Sequence, residues 1–94
     1  MRYEVNLTGV QTAREMHEAI RAGLDLPEYY GMNLDALWDV LTGEVETPCG
    51  IHVRVGNAGT EMMEALIEAV IGLMREAAEW HGERGRAMEI VVEE

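Results

Sequence analysis

Asp35 and Asp39 stand four residues apart, the spacing that puts two side chains on the same side of a helix. Two carboxylates so placed have two uses. They can share acid–base work if a pocket perturbs one of them. They can also present fixed negative charge to a basic partner. Around them, residues 25–48 hold Tyr29, Tyr30, Trp38 and six carboxylates, with no basic residue between Arg21 and Arg54. Like charges gathered this closely repel one another. A chain that only had to fold has no use for them, so the segment points to a strongly basic partner.

Local physics separates the two aspartates. Asn33 is a good N-cap and Gly43 a good stop, so the spacing predicts a helix over 34–42. Asp35 then falls in the first turn, where the helix dipole favours an anion. Asp39 falls in the last turn, where the dipole opposes it. It also faces a like charge four residues away, at a cost of about 0.2–0.5 kcal/mol. Nothing in the local structure accounts for Asp39, and a binding role does. Leu34, Leu37, Val40 and Leu41 form the arc of this helix expected in the core, and Trp38 lies on the border between leucines and aspartates. Of Tyr29 and Tyr30, one is expected to cover the core edge, leaving the other to stack on a partner. Glu76 stands apart from the other acids of its helix, on a flank of small residues (Ala65, Ala69 and Gly72) beside Leu73.

Other chemistries find little support. His17, His52 and His81 have no metal-ligand spacing to one another or to Cys49. The chain has no glycine-rich phosphate loop and no nucleophile elbow, and no cofactor is expected. An enzyme using Asp35 and Asp39 as acid and base is the alternative from a different class. A short helix on so small a domain offers no deep pocket for it.

The positioning elements follow from periodicity. Tyr3, Val5 and Leu7 alternate as a first strand, with a turn at Thr8-Gly9-Val10. Thr12 and Glu15 make a capping box for a helix that reaches about Ala22 and stops at Gly23. A loop over 25–32 leads to the acidic helix. Pro48 delays the next element, after which Ile51, Val53 and Val55 alternate as a second strand. Gly56-Asn57-Ala58-Gly59 is loop. Thr60 caps a long helix to about Glu79, with Met63, Leu66, Ile67, Val70, Met74 and Ala77 as its core stripe and Glu61, Glu64, Glu68, Arg75 and Glu79 as its solvated face. Residues 82–86 turn, and Met88, Ile90 and Val92 form a third strand with Val91 on its other face. Strands separated by helices imply parallel pairing. The expectation is an α/β fold, a three-stranded parallel sheet packed with helices, in a single domain over 1–94.

Composition bounds the partner. The net charge of −11 repels phosphate and anionic lipid, which excludes nucleic acid and disfavours membranes. Hydrophobic residues make up 48% of the chain, enough for a core despite that charge. One cysteine permits no internal disulfide, the N-terminus is interrupted by Glu4 where a signal peptide would be apolar, and no apolar run approaches the about 18 residues of a membrane span. A cytoplasmic protein is expected.

The segment Leu26–Pro48, through Leu26-Pro27-Glu28-Tyr29-Tyr30-Gly31, Asn33-Leu34-Asp35-Ala36-Leu37-Trp38-Asp39 and Leu41-Thr42-Gly43, closely resembles the barstar family of intracellular ribonuclease inhibitors. Arg75-Glu76-Ala77 matches as well, and the order of elements fits along the whole chain. In that family a helix and its adjoining loop plug the active site of a basic microbial ribonuclease, with carboxylates in the places of RNA phosphates. The resemblance implies a non-enzymatic bacterial inhibitor, of the toxin-immunity kind, that forms a 1:1 heterodimer. It implies partner contacts from Tyr29, Gly31, Asn33, Leu34, Asp35, Trp38, Asp39, Thr42, Gly43, Glu46 and Glu76. A related immunity module against a toxin that is not a ribonuclease is the alternative within the same fold. The chain departs from the family in four respects. Glu44 replaces an aromatic, Leu73 replaces a valine, Trp80 stands where the family is acidic, and the two cysteines of barstar are missing from their matching positions. These changes spare the central acids and alter their rim.

Overall fold

The computed structural model describes residues 1–56 and 58–94. Asn57, assigned to a loop by sequence, lies outside the described residues. The element order is β1 (Arg2–Asn6), α1 (Ala13–Gly23), α2 (Leu34–Gly43), β2 (Cys49–Arg54), α3 (Glu61–Glu83) and β3 (Met88–Glu93). The three strands form one parallel sheet in the order β1-β2-β3, as the alternation of strands and helices requires.

Register gives the sheet two unlike faces. Tyr3, Ile51 and Ile90 align across it, as do Val5, Val53 and Val92, and Cys49 pairs with Met88. This apolar row meets the helices, with Val5, Ile51 and Val53 almost fully buried. The alternate positions bring Glu4 beside His52, and Asn6 beside Arg54, which pairs in turn with Glu93. There His52 and Arg54 both reach Glu93, at 2.8 and 3.8 Å. The period of two in the sequence therefore became an inside and an outside.

Side chains that satisfy the first backbone N–H groups begin all three helices. Thr12 Oγ1 accepts from Glu15 N–H at 3.0 Å, Asn33 Oδ1 from Ala36 N–H at 2.7 Å, and Thr60 Oγ1 from Met63 N–H at 3.1 Å. The Glu15 carboxylate reaches back to Gln11 N–H at 2.8 Å, one residue before the cap.

The helix ends differ from the pattern-based expectation. Gly23 lies inside α1, and the left-handed residue is Asp25, at φ 55°. Gly23 serves a different purpose. A Cβ there would lie 2.5 Å from the Glu4 carbonyl oxygen and 2.9 Å from Val5 Cα, so the glycine lets α1 touch β1. Helix α3 runs to Glu83, past the expected end near Glu79, and stops before Gly85 at φ 73°. The extra turn is tied down by tertiary contacts of His81 that a local pattern does not contain. The core is continuous beneath α2. Leu37 and Leu41 are fully buried and Val40 nearly so, together with Met16, Ile20, Val70 and Met74. Leu34, expected in the same arc, is 37% exposed at the open first turn.

Candidate functional site

Helix α2 and the loop before it place the acidic face. Asn33 carries the junction. While its Oδ1 caps α2, its Nδ2–H donates to the Gly31 carbonyl at 3.1 Å, so one side chain closes the loop onto the helix. Gly31 packs tightly there. A Cβ on it would approach Ala36 Cβ to 3.1 Å. Met32 between them adopts a left-handed φ of 55°. The loop thus has a defined backbone shape as it enters the helix.

The two tyrosines divide as expected. Tyr30 is buried, only 5% exposed, and its hydroxyl shares a 2.8 Å hydrogen bond with His17 Nδ1 on α1. Burial pushes the Tyr30 phenol up to about 12 and holds the His17 imidazole below its ordinary value. Tyr29 is 80% exposed. The pair therefore anchors the loop with one ring and presents the other.

Along α2, Asp35 and Asp39 lie exposed, and among the described residues neither has a hydrogen bond or ion pair. Trp38 is half-buried between them and the core. The Thr42 hydroxyl donates to the Trp38 carbonyl at 2.8 Å and stays on the helix surface. Helix α2 runs one residue beyond its expected end, to Gly43. Asp39 therefore lies just ahead of the last turn, and the dipole penalty read from the sequence shrinks, because that effect falls off within a turn. Repulsion from Asp35 remains. Gly43 is exposed with open space around its Cβ position. Its role at the helix end is not a left-handed cap, since the C-cap Glu44 keeps right-handed geometry.

Glu76 and Glu46 come from other elements. Glu76 is exposed on α3, which packs against α2. It sits one helical turn before Trp80, whose ring meets Trp38 edge to face with centroids 6.4 Å apart. That contact brings the Glu76 side of α3 next to the Trp38 side of α2. Glu46 lies past α2 and lines a cleft with Leu26 and Pro27 of the loop. Asp35, Trp38, Asp39 and Thr42 thus follow one another along α2, Tyr29 lies in the loop before it, Glu76 lies on the helix packed against it, and Glu46 lies in the segment after it. Leu34 and Gly31 complete the loop end.

Two residues that sequence reasoning left aside hold this surface together. His81, on the turn of α3 beyond the expected end, is buried. Its Nε2–H donates to the Leu41 carbonyl at 2.8 Å, and its Nδ1 accepts from Arg86 Nε–H at 3.0 Å. A carbonyl can only accept and an arginine Nε–H can only donate, so the partners set the tautomer. This bond pins the C-terminal half of α2 to α3. His17 does the same for the loop. No signal in the sequence marks either histidine, because each finds its partner across 13 or 40 residues.

Among the described residues, no three His, Cys, Asp or Glu side chains group in a way that could hold a metal ion, and no helix is long and apolar enough to cross a membrane.

Comparison with known proteins gives the chain's family. A protein of Bacillus subtilis (strain 168) named "Putative ribonuclease inhibitor YrdF" is 36% identical over 64 residues, covering 68% of this chain and 70% of the relative. The family profile described as Barstar (barnase inhibitor) matches residues 1–93. With a parallel three-stranded sheet, three helices and a match along almost its whole length, the chain belongs to the barstar family.

Proposed function

We propose that the chain inhibits a basic microbial ribonuclease by seating α2 and its preceding loop in the enzyme's active site. Family membership supports a ribonuclease-inhibitor-like, non-enzymatic role. The observation that carries the finer reading is the outward side of α2. Asp35 and Asp39 are exposed and lack an internal partner among the described residues, and the loop that leads into their helix carries the exposed Tyr29 and is closed onto the helix by Asn33.

Asp39 enters the phosphate-binding centre and meets its arginines and histidine, replacing an RNA phosphate. Tyr29 and Trp38 supply packing, while Asp35, Glu46 and Glu76 extend the charge complementarity around it. Gly31, Asn33, Leu34, Thr42 and Gly43 form the loop and helix-end contacts. The whole chain acts as one domain in a 1:1 complex within the bacterial cytoplasm, as the immunity partner of a toxic nuclease. Exposed on a helix surface, Asp35 and Asp39 have no burial to make them an acid–base pair.

Titration against a panel of basic microbial ribonucleases tests this reading. Stoichiometric loss of RNA cleavage at one-to-one is expected for at least one of them. Failure to inhibit any at micromolar protein, with capture of a nuclease of another kind instead, would move the target to a different toxin.

A further inference from the structure

Beyond the acids, the surface changes character. The Trp80 ring touches Trp38 at 73°. The guanidinium carbon of Arg84 lies 3.8 Å from the Trp80 centroid and that of Arg86 5.3 Å from it. Both distances are within cation–π range. Arg84 Nη1–H also donates to the Trp80 carbonyl at 2.8 Å, and Arg86 is held by His81. Among the described residues neither guanidinium group is bonded to a carboxylate. Among the described residues the ion pairs involve Arg14, His52 and Arg54, so Arg84 and Arg86 have none, like Arg2, Arg21 and Arg75, and what sets them apart is the indole they share. Helix capping explains the Arg84–carbonyl bond. It does not call for a half-exposed indole under that arginine or for a second arginine beside it.

We propose that Trp80, Arg84 and Arg86 form a second patch of the partner-binding surface, which takes a carboxylate-bearing rim of the partner and selects which ribonuclease is accepted. The proposal rests on the inhibitory reading above and deepens it. A guanidinium already laid on an indole and tied to a carbonyl has lost much of its rotamer freedom, and its remaining N–H groups suit a planar carboxylate. Past the acids of α2, the Trp38–Trp80 contact leads to the two guanidinium groups of Arg84 and Arg86, cations set among the exposed Glu76, Glu79 and Glu83 of α3. A partner must match that arrangement. One with lysine or arginine opposite Arg84 meets like charge, which rejects it without weakening the central contact.

The test uses ribonucleases of known structure, some with acidic and some with basic rims beside the active site. Inhibition constants are measured for the native chain and for Arg84→Glu, Trp80→Ala and Asp39→Ala. The native chain should prefer acidic rims. Arg84→Glu should weaken binding to them by about tenfold and strengthen binding to basic rims, inverting the ranking. Trp80→Ala should reduce the native preference. Arg84 is exposed, so its variant decides the matter even if Trp80→Ala folds poorly. An unchanged ranking in Arg84→Glu, with Asp39→Ala still abolishing inhibition, would overturn the patch and leave the inhibitor standing. If Asp39→Ala has no effect, or no enzyme is inhibited by the native chain, the inhibitory reading fails and the patch with it.

Discussion

The two sides of α2 treat polarity in opposite ways. Toward α1 and α3, each buried polar side chain is paired. His17 meets Tyr30, His81 meets the Leu41 carbonyl and Arg86, and among the described residues no buried side-chain nitrogen or oxygen lacks a partner. On the outward side, Asp35 and Asp39 are exposed, and among the described residues neither side chain has a hydrogen bond or ion pair. Polar groups that serve the fold find their partners within it, because an unpaired buried group costs about 1–3 kcal/mol. Carboxylates left in water beside an aromatic carry no such penalty, and they remain available to a partner. One short helix thus separates, by face, the side chains that folding uses from those it leaves exposed.

The sharpest way to break this comparison is Asp39→Ala. Inhibition should fall by about a hundredfold or more, since the enzyme's desolvated basic groups are left without their counter-charge. The folded chain should be as stable as before or slightly more so, because the change relieves repulsion with Asp35 and introduces a better helix former. Inhibition titrations and urea melts on the same preparation read both. A variant that melts early yet inhibits normally would make Asp39 a structural residue and erase the distinction between faces.

Leu41→Ala probes the other face. Leu41 is fully buried, so truncation should cost about 2–5 kcal/mol of stability. The fraction still folded should inhibit at full strength. A melt unchanged from the native chain would show that the inner side of α2 is not the core contact described above.

Acid should reveal the His17–Tyr30 anchor. Burial lowers the folded His17 pKa, so the unfolded chain takes up the proton first as pH falls. The contribution is complete above the unfolded value of about 6.5 and is lost as pH drops below it and through the folded value. The native chain should therefore lose stability relative to His17→Gln between neutral pH and about pH 5. Parallel stability curves for the two over that range would mean the histidine is not held neutral by its surroundings.

Salt gives the smallest and most diagnostic change. Association with the ribonuclease should slow as ionic strength rises, while dissociation changes less, since exposed charges steer over roughly 8–10 Å at 0.1–0.15 M. Stopped-flow rates insensitive to salt would remove the exposed acids from the docking step.

Much of this arrangement is legible in the chain itself. Alternation at Tyr3-Val5 and Ile51-Val53 names the covered face of each strand, and parallel pairing follows from the helices between them. Thr12, Asn33 and Thr60 announce three helix starts by chemistry confined to four residues. The i,i+4 placement of Asp35 and Asp39 likewise needs only a helix. These features are local, so a local pattern contains them. Tertiary structure decided the rest. It buried Tyr30 and left Tyr29 free, because only His17 on another helix tells the two apart. Helix α3 continued past Glu79 because His81 finds the Leu41 carbonyl across the core, and Gly23 turned out to be a contact point for β1. The same long-range packing brought Trp80, one turn after Glu76, against Trp38 of α2. Partners 13 to 40 residues distant leave no periodic trace in a sequence. The sequence determined which groups were available, and three-dimensional packing determined which were used up in folding and which stayed exposed.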